Sequence, residues 1–203
     1  GDGDGKIDLW RSQEDALASA ANFLNQLGWQ VAQRWGREVL LPKDFPYAST
    51  GLSQRKTLAD WRKLGVLRFD GEPLPELDIE ASILLPMGHT GPAFIVYDNF
   101  RVIMRWNYSQ NYAIAVGNLA DRTAGGGGLV VSVDTPVPAL NPAMIRDLQE
   151  RLSSLGFDAG KADGIIGQST RSALRQFQAS KGLVADGFPG FSTLAALGIN
   201  ARH

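Results

Sequence analysis

The residues best suited to chemistry open the chain. In Asp2-x-Asp4-Gly5-Lys6-Ile7-Asp8, side-chain oxygens fall at alternate positions, a glycine permits a sharp turn and an apolar residue follows. That pattern suits a hard cation such as Ca2+. Asp2 and Asp4 would give carboxylates, Lys6 its backbone carbonyl, and Glu14 or Asp15 the closing acid. The first ligand of such a loop would precede residue 1, so calcium would be structural and weakly held. The same residues also make an Asp/Gly turn with solvated charges. No second metal site is expected, because the only histidines, His89 and His203, lie far apart in sequence. Cysteine is absent, which excludes disulfides, thiol nucleophiles and thiolate ligands and fits an oxidising compartment. Glu72, Glu76, Asp78 and Glu80 are interspersed with Pro73 and Pro75 and read as a solvated loop. The Gly125–Gly128 run lacks a following Lys-Ser/Thr and is no phosphate loop. No organic cofactor is implied.

The elements that position these groups follow from periodicity and caps. Ser12 is an N-cap candidate for a helix over 12–28, with Glu14 and Asp15 in its first turn and Gly28 as its stop. Ala16, Leu17, Ala20, Phe23, Leu24 and Leu27 give it an apolar stripe. A second helix is predicted from Ser53 to Leu64, ending at Gly65. Strands are predicted at Val39–Leu41, Ala81–Leu85, Phe94–Tyr97 and Val102–Trp106, with a hairpin turn around His89. A third helix is predicted from Asn107 to Ala124. Gly125–Gly128 and the proline-rich stretch from Asp134 to Pro142 then mark a linker and a domain boundary.

The tail contains an internal repeat. Asp163-Gly164-x-x-Gly167-x-x-Thr170-x-x-Ala173 recurs as Asp186-Gly187-x-x-Gly190-x-x-Thr193-x-x-Ala196, 23 residues later. Each copy is a turn feeding a helix. Ile145, Leu148, Leu152, Leu155, Leu174, Phe177, Leu194 and Leu197 would line a three-helix bundle of about 60 residues, near the lower limit for an unstapled domain.

With Leu148-Gln149, Leu152, Leu155-Gly156, Phe177-Gln178 and Gly182-Leu183, this tail resembles a peptidoglycan-binding domain over residues 144–197. The body resembles the lytic murein transglycosylase B family. The resemblance rests on the stretch from Asp15 to Leu24 with Gly28-Trp29, on Gly91-Pro92-Ala93-Phe94, and on Asn99-Phe100-Arg101-Val102-Ile103-Met104-Arg105-Trp106-Asn107-Tyr108-Ser109 with Tyr112-Ala113. It implies cleavage between N-acetylmuramic acid and N-acetylglucosamine, leaving a 1,6-anhydro end. Such chemistry needs one protonated carboxyl group, which gives a proton to the glycosidic oxygen and then takes one from the sugar's 6-hydroxyl. A second carboxylate is unnecessary because water is not the nucleophile.

In the family the acid is a glutamate in a Glu-Ser-x-x-Gly setting. Glu14, Glu38, Glu72, Glu76, Glu80 and Glu150 all stand in other contexts. The sequence therefore resembles the C-terminal part of the enzyme, and these 203 residues alone are expected to cleave no glycan. The resemblance implies that Trp106, Asn107 and Tyr112 line the substrate groove, Trp106 standing where tyrosine is more usual. Aromatic faces suit sugar rings, and an amide suits hydroxyl or N-acetyl groups. The family also implies an EF-hand-like calcium loop of lengthened spacing at the start of the chain.

The expected fold is α+β and mainly helical. Residues 1–125 form part of a lysozyme-like domain with a mixed insert at about 30–100, residues 126–143 a linker, and residues 144–203 an independent bundle. Expected partners are peptidoglycan glycan strands, their stem peptides, and an N-terminal part of the same catalytic domain. A net charge of -1 argues against nucleic acid, and no apolar run reaches the roughly 18 residues of a membrane span. The resemblance implies the periplasm of a Gram-negative bacterium and leaves room for an N-terminal lipid anchor. The alternative is a non-catalytic wall-binding or scaffolding protein.

Overall fold

The computed structural model describes residues 2–130 and 136–200. Asp134 and Thr135 of the predicted linker, and His203, lie outside them.

Helix α1 (Gln13–Gln26) starts where Ser12 Oγ accepts the Asp15 N–H at 3.2 Å, and the chain leaves it through Gly28 at φ +92°. The elements that follow are β1 (Gly36–Leu40), β2 (Lys56–Thr57), α2 (Leu58–Lys63), β3 (Leu67–Arg68), β4 (Glu80–Leu84), β5 (Ala93–Val96), α3 (Asp98–Trp106) and α4 (Gln110–Thr123). The tail holds α5 (Pro142–Ser154), α6 (Gln168–Ser180) and α7 (Phe191–Ala196). The molecule is α+β and mainly helical, as anticipated.

The helix predicted from Asn107 begins at Gln110 and the strand predicted from Val39 begins at Gly36, and two further differences have local reasons. The helix predicted from Ser53 begins only at Leu58, because Thr57 is its cap and Lys56–Thr57 pair with Ala81 and Glu80 as a short strand. Val102–Trp106 is not a strand but the second half of α3. Its apolar run is rich in β-formers, yet Asn99, Phe100, Val102 and Ile103 are the buried positions, at helical spacing. The stripe on α1 is helical as predicted but largely uncovered. Leu17 is 72% and Phe23 43% exposed, and only Asp15 of this helix is buried.

The five strands form one antiparallel sheet in the order β2-β4-β5-β1-β3. Alternation along β4 and β5 splits its side chains between two cores. Ala81, Ile83, Ala93 and Ile95 face Trp61 of α2. Leu84, Phe94 and Val96 face Trp35, Phe100 and the start of α4. Because both faces are covered, every residue of β5 is buried. Gly117 of α4 admits the Trp35 ring, which a Cβ there would meet at 2.4 Å. After α4 the chain runs back along β1, where Glu38 Oε2 accepts the Val130 N–H at 2.6 Å.

The tail has its own core of Leu148, Leu152, Leu174, Phe177, Leu194 and Leu197. Its repeat is built on two matching glutamine clips. Gln149 Nε2 donates to Asp163 Oδ1, Ile165 O and Thr170 Oγ1, while its Oε1 accepts the Gly164 N–H. Gln178 does the same with Asp186 Oδ1, Phe188 O, Thr193 Oγ1 and the Gly187 N–H. Both glutamines are buried, so each clip must satisfy every polar atom it encloses. Gly164 and Gly187 take φ +84° and +72°, a left-handed turn that favours glycine.

The tail also touches the body. Asp186 Oδ2 accepts the His89 N–H at 3.0 Å and lies 2.7 Å from His89 Nδ1. The predicted turn around His89 exists, with Gly88 at φ +79°, and it carries this joint between the two lobes.

Candidate glycan groove and cation site

The segment implied to bind sugar is the junction of α3 and α4. Asn107 and Tyr108 leave α3, and Ser109 starts α4 by accepting the Tyr112 N–H at 3.2 Å. Trp106 is 47%, Tyr108 88% and Tyr112 37% exposed, and Asn107 is exposed beside them. None of these aromatics is a core residue. Trp106 is nevertheless fixed: the Phe23 ring of α1 meets it edge-on, with centroids 5.2 Å apart at 83°. An edge-to-face pair orients one indole face for a ligand.

That brace depends on how α1 and α3 are joined. Asn99, fully buried, donates from Nδ2 to Gln30 O at 2.7 Å and to Gln33 O at 2.6 Å, and its Oδ1 accepts the Gln30 N–H at 2.8 Å. Arg105 Nη1 donates to Leu27 O at 3.3 Å. Arg101 Nη2 reaches Ser82 Oγ and Leu52 O, tying the helix to the sheet. The stretch stands out in the sequence as a motif, but nothing in it marks Asn99 as the structural clamp, because the partners lie 66 and 69 positions away.

The glutamates are placed elsewhere. Glu38 is buried within β1, Glu80 pairs with Arg55 at 2.8 Å and Glu76 with Arg62 at 3.4 Å, while Glu14, Glu72 and Glu150 are exposed.

At the start of the chain, Asp2, Asp4 and Asp15 bring carboxylate oxygens within 4.8 Å of one another. Asp15 is the buried member; it accepts N–H bonds from Asp2 at 3.3 Å and Asp8 at 3.0 Å. Asp2 Oδ1 accepts the Asp4 N–H, and Asp4 Oδ1 the Lys6 N–H. The Asp4 backbone N–H holds the Asp2 carboxyl below its usual range, against the smaller effect of burial. Three hard oxygen donors so close repel one another unless a cation lies between them, so the group fits Ca2+ chemistry. Of the two acids offered for closing the loop, Asp15 is in the group and Glu14 is not.

Comparison with known proteins agrees with this anatomy. Residues 1–121 match the family described as "Transglycosylase SLT domain", and residues 141–197 the "Putative peptidoglycan binding domain". The chain is 46% identical to SltB3 from Pseudomonas aeruginosa, solved in complex with NAG-anhNAM-pentapeptide and with NAG-NAM-pentapeptide; the match covers 97% of this chain and 53% of that one, with a TM-score of 0.86. It is 30% identical over 134 residues to membrane-bound lytic murein transglycosylase B of Escherichia coli (strain K12), covering 60% of this chain and 32% of that protein. A further match, 45% over 53 residues, is to N-acetylmuramoyl-L-alanine amidase CwlM of Mycobacterium tuberculosis, covering 26% of this chain and 13% of that one. The chain thus spans about half or less of the length of these relatives. With its exposed aromatic junction and its glutamine-clipped tail, the chain belongs to the transglycosylase SLT domain family and carries a domain of the putative peptidoglycan-binding type.

Proposed function

We propose that this protein acts in lytic transglycosylation of peptidoglycan, cutting between N-acetylmuramic acid and N-acetylglucosamine to leave 1,6-anhydro ends. These residues supply one wall of the glycan groove and the anchor, and the proton donor comes from polypeptide outside them. The observation that carries the reading is the exposed Trp106-Asn107-Tyr112 set, with Trp106 braced by Phe23 instead of buried. A core role would have hidden these rings. The tail holds the protein on its polymer and raises local substrate concentration without touching the scissile bond. The periplasm of a Gram-negative bacterium is the setting that fits this substrate.

Two measurements test the reading. Purified sacculi should sediment the chain, and deleting residues 144–203 should remove most of that binding while the body keeps its helical signal; unchanged binding would defeat the tether. The 203-residue chain should release no anhydro-muropeptides, and measurable release would overturn the assignment of the acid. The absence of any Glu-Ser-x-x-Gly setting favours a second reading, a wall-binding scaffold. The two separate on whether polypeptide carrying that glutamate restores cleavage.

The opening loop is proposed to hold structural Ca2+ through Asp2, Asp4, the Lys6 carbonyl and Asp15. When bound, the ion would neutralise the carboxylates and lock the loop onto the α1 N-terminus; it takes no part in bond cleavage. Calcium in hundredfold excess over its Kd should then stabilise the body by about 2.7 kcal/mol. Thermal melts with calcium and with chelator check this: the gain should vanish in Asp15→Ala, and an equal gain in that variant would sink the site.

A further inference from the structure

The joint between body and tail holds two arginines that pair with no anion among the described residues. Arg171 and Arg175 lie one turn apart on α6 and face the body. The Arg175 guanidinium sits between two glycines. A Cβ on Gly51 would come 2.8 Å from its Nη2, and one on Gly187 2.6 Å from its Nη1. Among the described residues neither arginine has a hydrogen-bond or ion-pair partner. The carboxylate whose charge they feel is Asp186, and its oxygens are already taken. Oδ1 accepts from Gln178 Nε2 and the Phe188 N–H, and Oδ2 faces His89. Burial lowers the pKa of both arginines, and the Arg175 charge lowers that of Arg171 further; Asp186 opposes in each case. Two half-buried like charges side by side favour an anion that neutralises them. Their planar donor forks match a carboxylate.

Space for that anion exists beside them. Arg171 lines a groove of about 360 Å3 between the lobes. Its body wall is Tyr108, Ser109 and Asn111, directly after the proposed sugar-binding pair Trp106-Asn107. Its tail wall is the first repeat turn, Ile165 to Gly167, and the start of α6. No side chain caps α6, so its first-turn amides add positive potential on the same side. Ile165, Ile166 and Met104 give the groove apolar surface, while Gln110, Asn111 and Gln168 offer amides for a peptide backbone. A net charge of -1 provides no general attraction for polyanions.

We propose that this groove between the lobes binds a free carboxylate of the peptide stem carried by the glycan strand, with Arg171 as its main ligand and Arg175 behind it. The assignment rests on the glycan-binding reading above. Beyond anchoring, the tail then completes a peptide subsite next to the sugar groove.

The test titrates the whole chain with three disaccharide probes, namely GlcNAc-MurNAc without peptide and with its lactyl carboxylate amidated, the same disaccharide bearing a pentapeptide, and that pentapeptide form with its carboxylates amidated, and with free pentapeptide and inorganic phosphate as controls. Binding is read by NMR and calorimetry. The carboxylate form should bind about tenfold or more tighter than the amidated one. Arg171→Gln should erase that difference, leave the peptide-free disaccharide unchanged, and keep or raise the melting temperature. Equal affinity for the carboxylate and amidated forms, or equal weakening of all three by Arg171→Gln, would overturn the proposal. Inorganic phosphate binding as tightly as the pentapeptide form would make this a general anion site and overturn the peptide assignment. If free pentapeptide binds through Arg171 while the disaccharide does not, the glycan reading fails and the carboxylate site stands. If neither binds, both fail.

Discussion

Replacing Gln178 by alanine should unfold the tail while the body stays folded. The amide of Gln178 serves Asp186 Oδ1, Phe188 O, Thr193 Oγ1 and the Gly187 N–H, all at the second repeat turn. Truncation leaves the Gly187 N–H and Thr193 Oγ1 without this enclosed partner and weakens Asp186 Oδ1 and Phe188 O, which keep only the Phe188 and Gly190 N–H bonds, at about 1–3 kcal/mol for each group that water cannot reach. A domain of this size has a total stability of only about 3–9 kcal/mol. The expected loss of about 3–5 kcal/mol therefore approaches the whole margin. Gln149→Ala should behave alike at the first turn, because the bonds correspond one for one. The two lobes can be followed separately, since all 5 tryptophans lie in the body at Trp10, Trp29, Trp35, Trp61 and Trp106. Tryptophan fluorescence should keep its unfolding transition while amide protection is lost across 142–197. Retained protection there would show that the clips are dispensable.

The second large effect is expected at Asn99. Asn99→Ala removes three hydrogen bonds from a fully buried clamp and leaves the Gln30 N–H and Gln33 O to find water, while Gln30 O keeps only the Gln33 N–H. The cost to the body should be about 2–4 kcal/mol. Function should suffer too, because the clamp holds the segment that joins α1 to β1, and α1 carries the Phe23 ring under Trp106. Chito-oligosaccharide binding should weaken in the folded variant at low temperature. Trp106→Ala is the control: being half exposed, it should reduce sugar binding with little change in stability. A melting temperature unmoved by Asn99→Ala would contradict the clamp.

Much of this architecture is legible locally. Ser12, Thr57, Ser109 and Asn141 each cap a helix through their own side chains, so those starts are open to reading from residue type. Ser12 stands alone before its helix and is recognisable in this way, whereas Ser109 competes with Asn107, where the sequence reading began the helix. Thr57 competes with Ser53, an equally good cap by residue type, and only the pairing of Lys56–Thr57 with β4 decides between them. Short apolar runs mark β4 and β5, as suits strands covered on both faces. The segment Val102–Trp106 contains β-branched and aromatic residues that suit either a strand or a helix. The deciding fact is which of its neighbours are buried, and the tertiary packing of Phe100 and Ile103 against Trp35 and Phe94 supplies it. The stripe on α1 is also legible, but not that Leu17 remains uncovered.

Sequence alone determined what depends on near neighbours: the repeat turns, the Asp2-x-Asp4 loop and the side-chain helix caps. Tertiary structure decided what depends on distant partners. It selected Asp15 over Glu14 for the carboxylate group, buried the clip glutamines, joined His89 to Asp186 across 97 positions, and set Arg171 and Arg175 against the body. The physical reason is range. Caps and turns are set by hydrogen bonds within a few residues, whereas burial and charge pairing depend on which surfaces the folded chain brings together, and no local pattern carries that information.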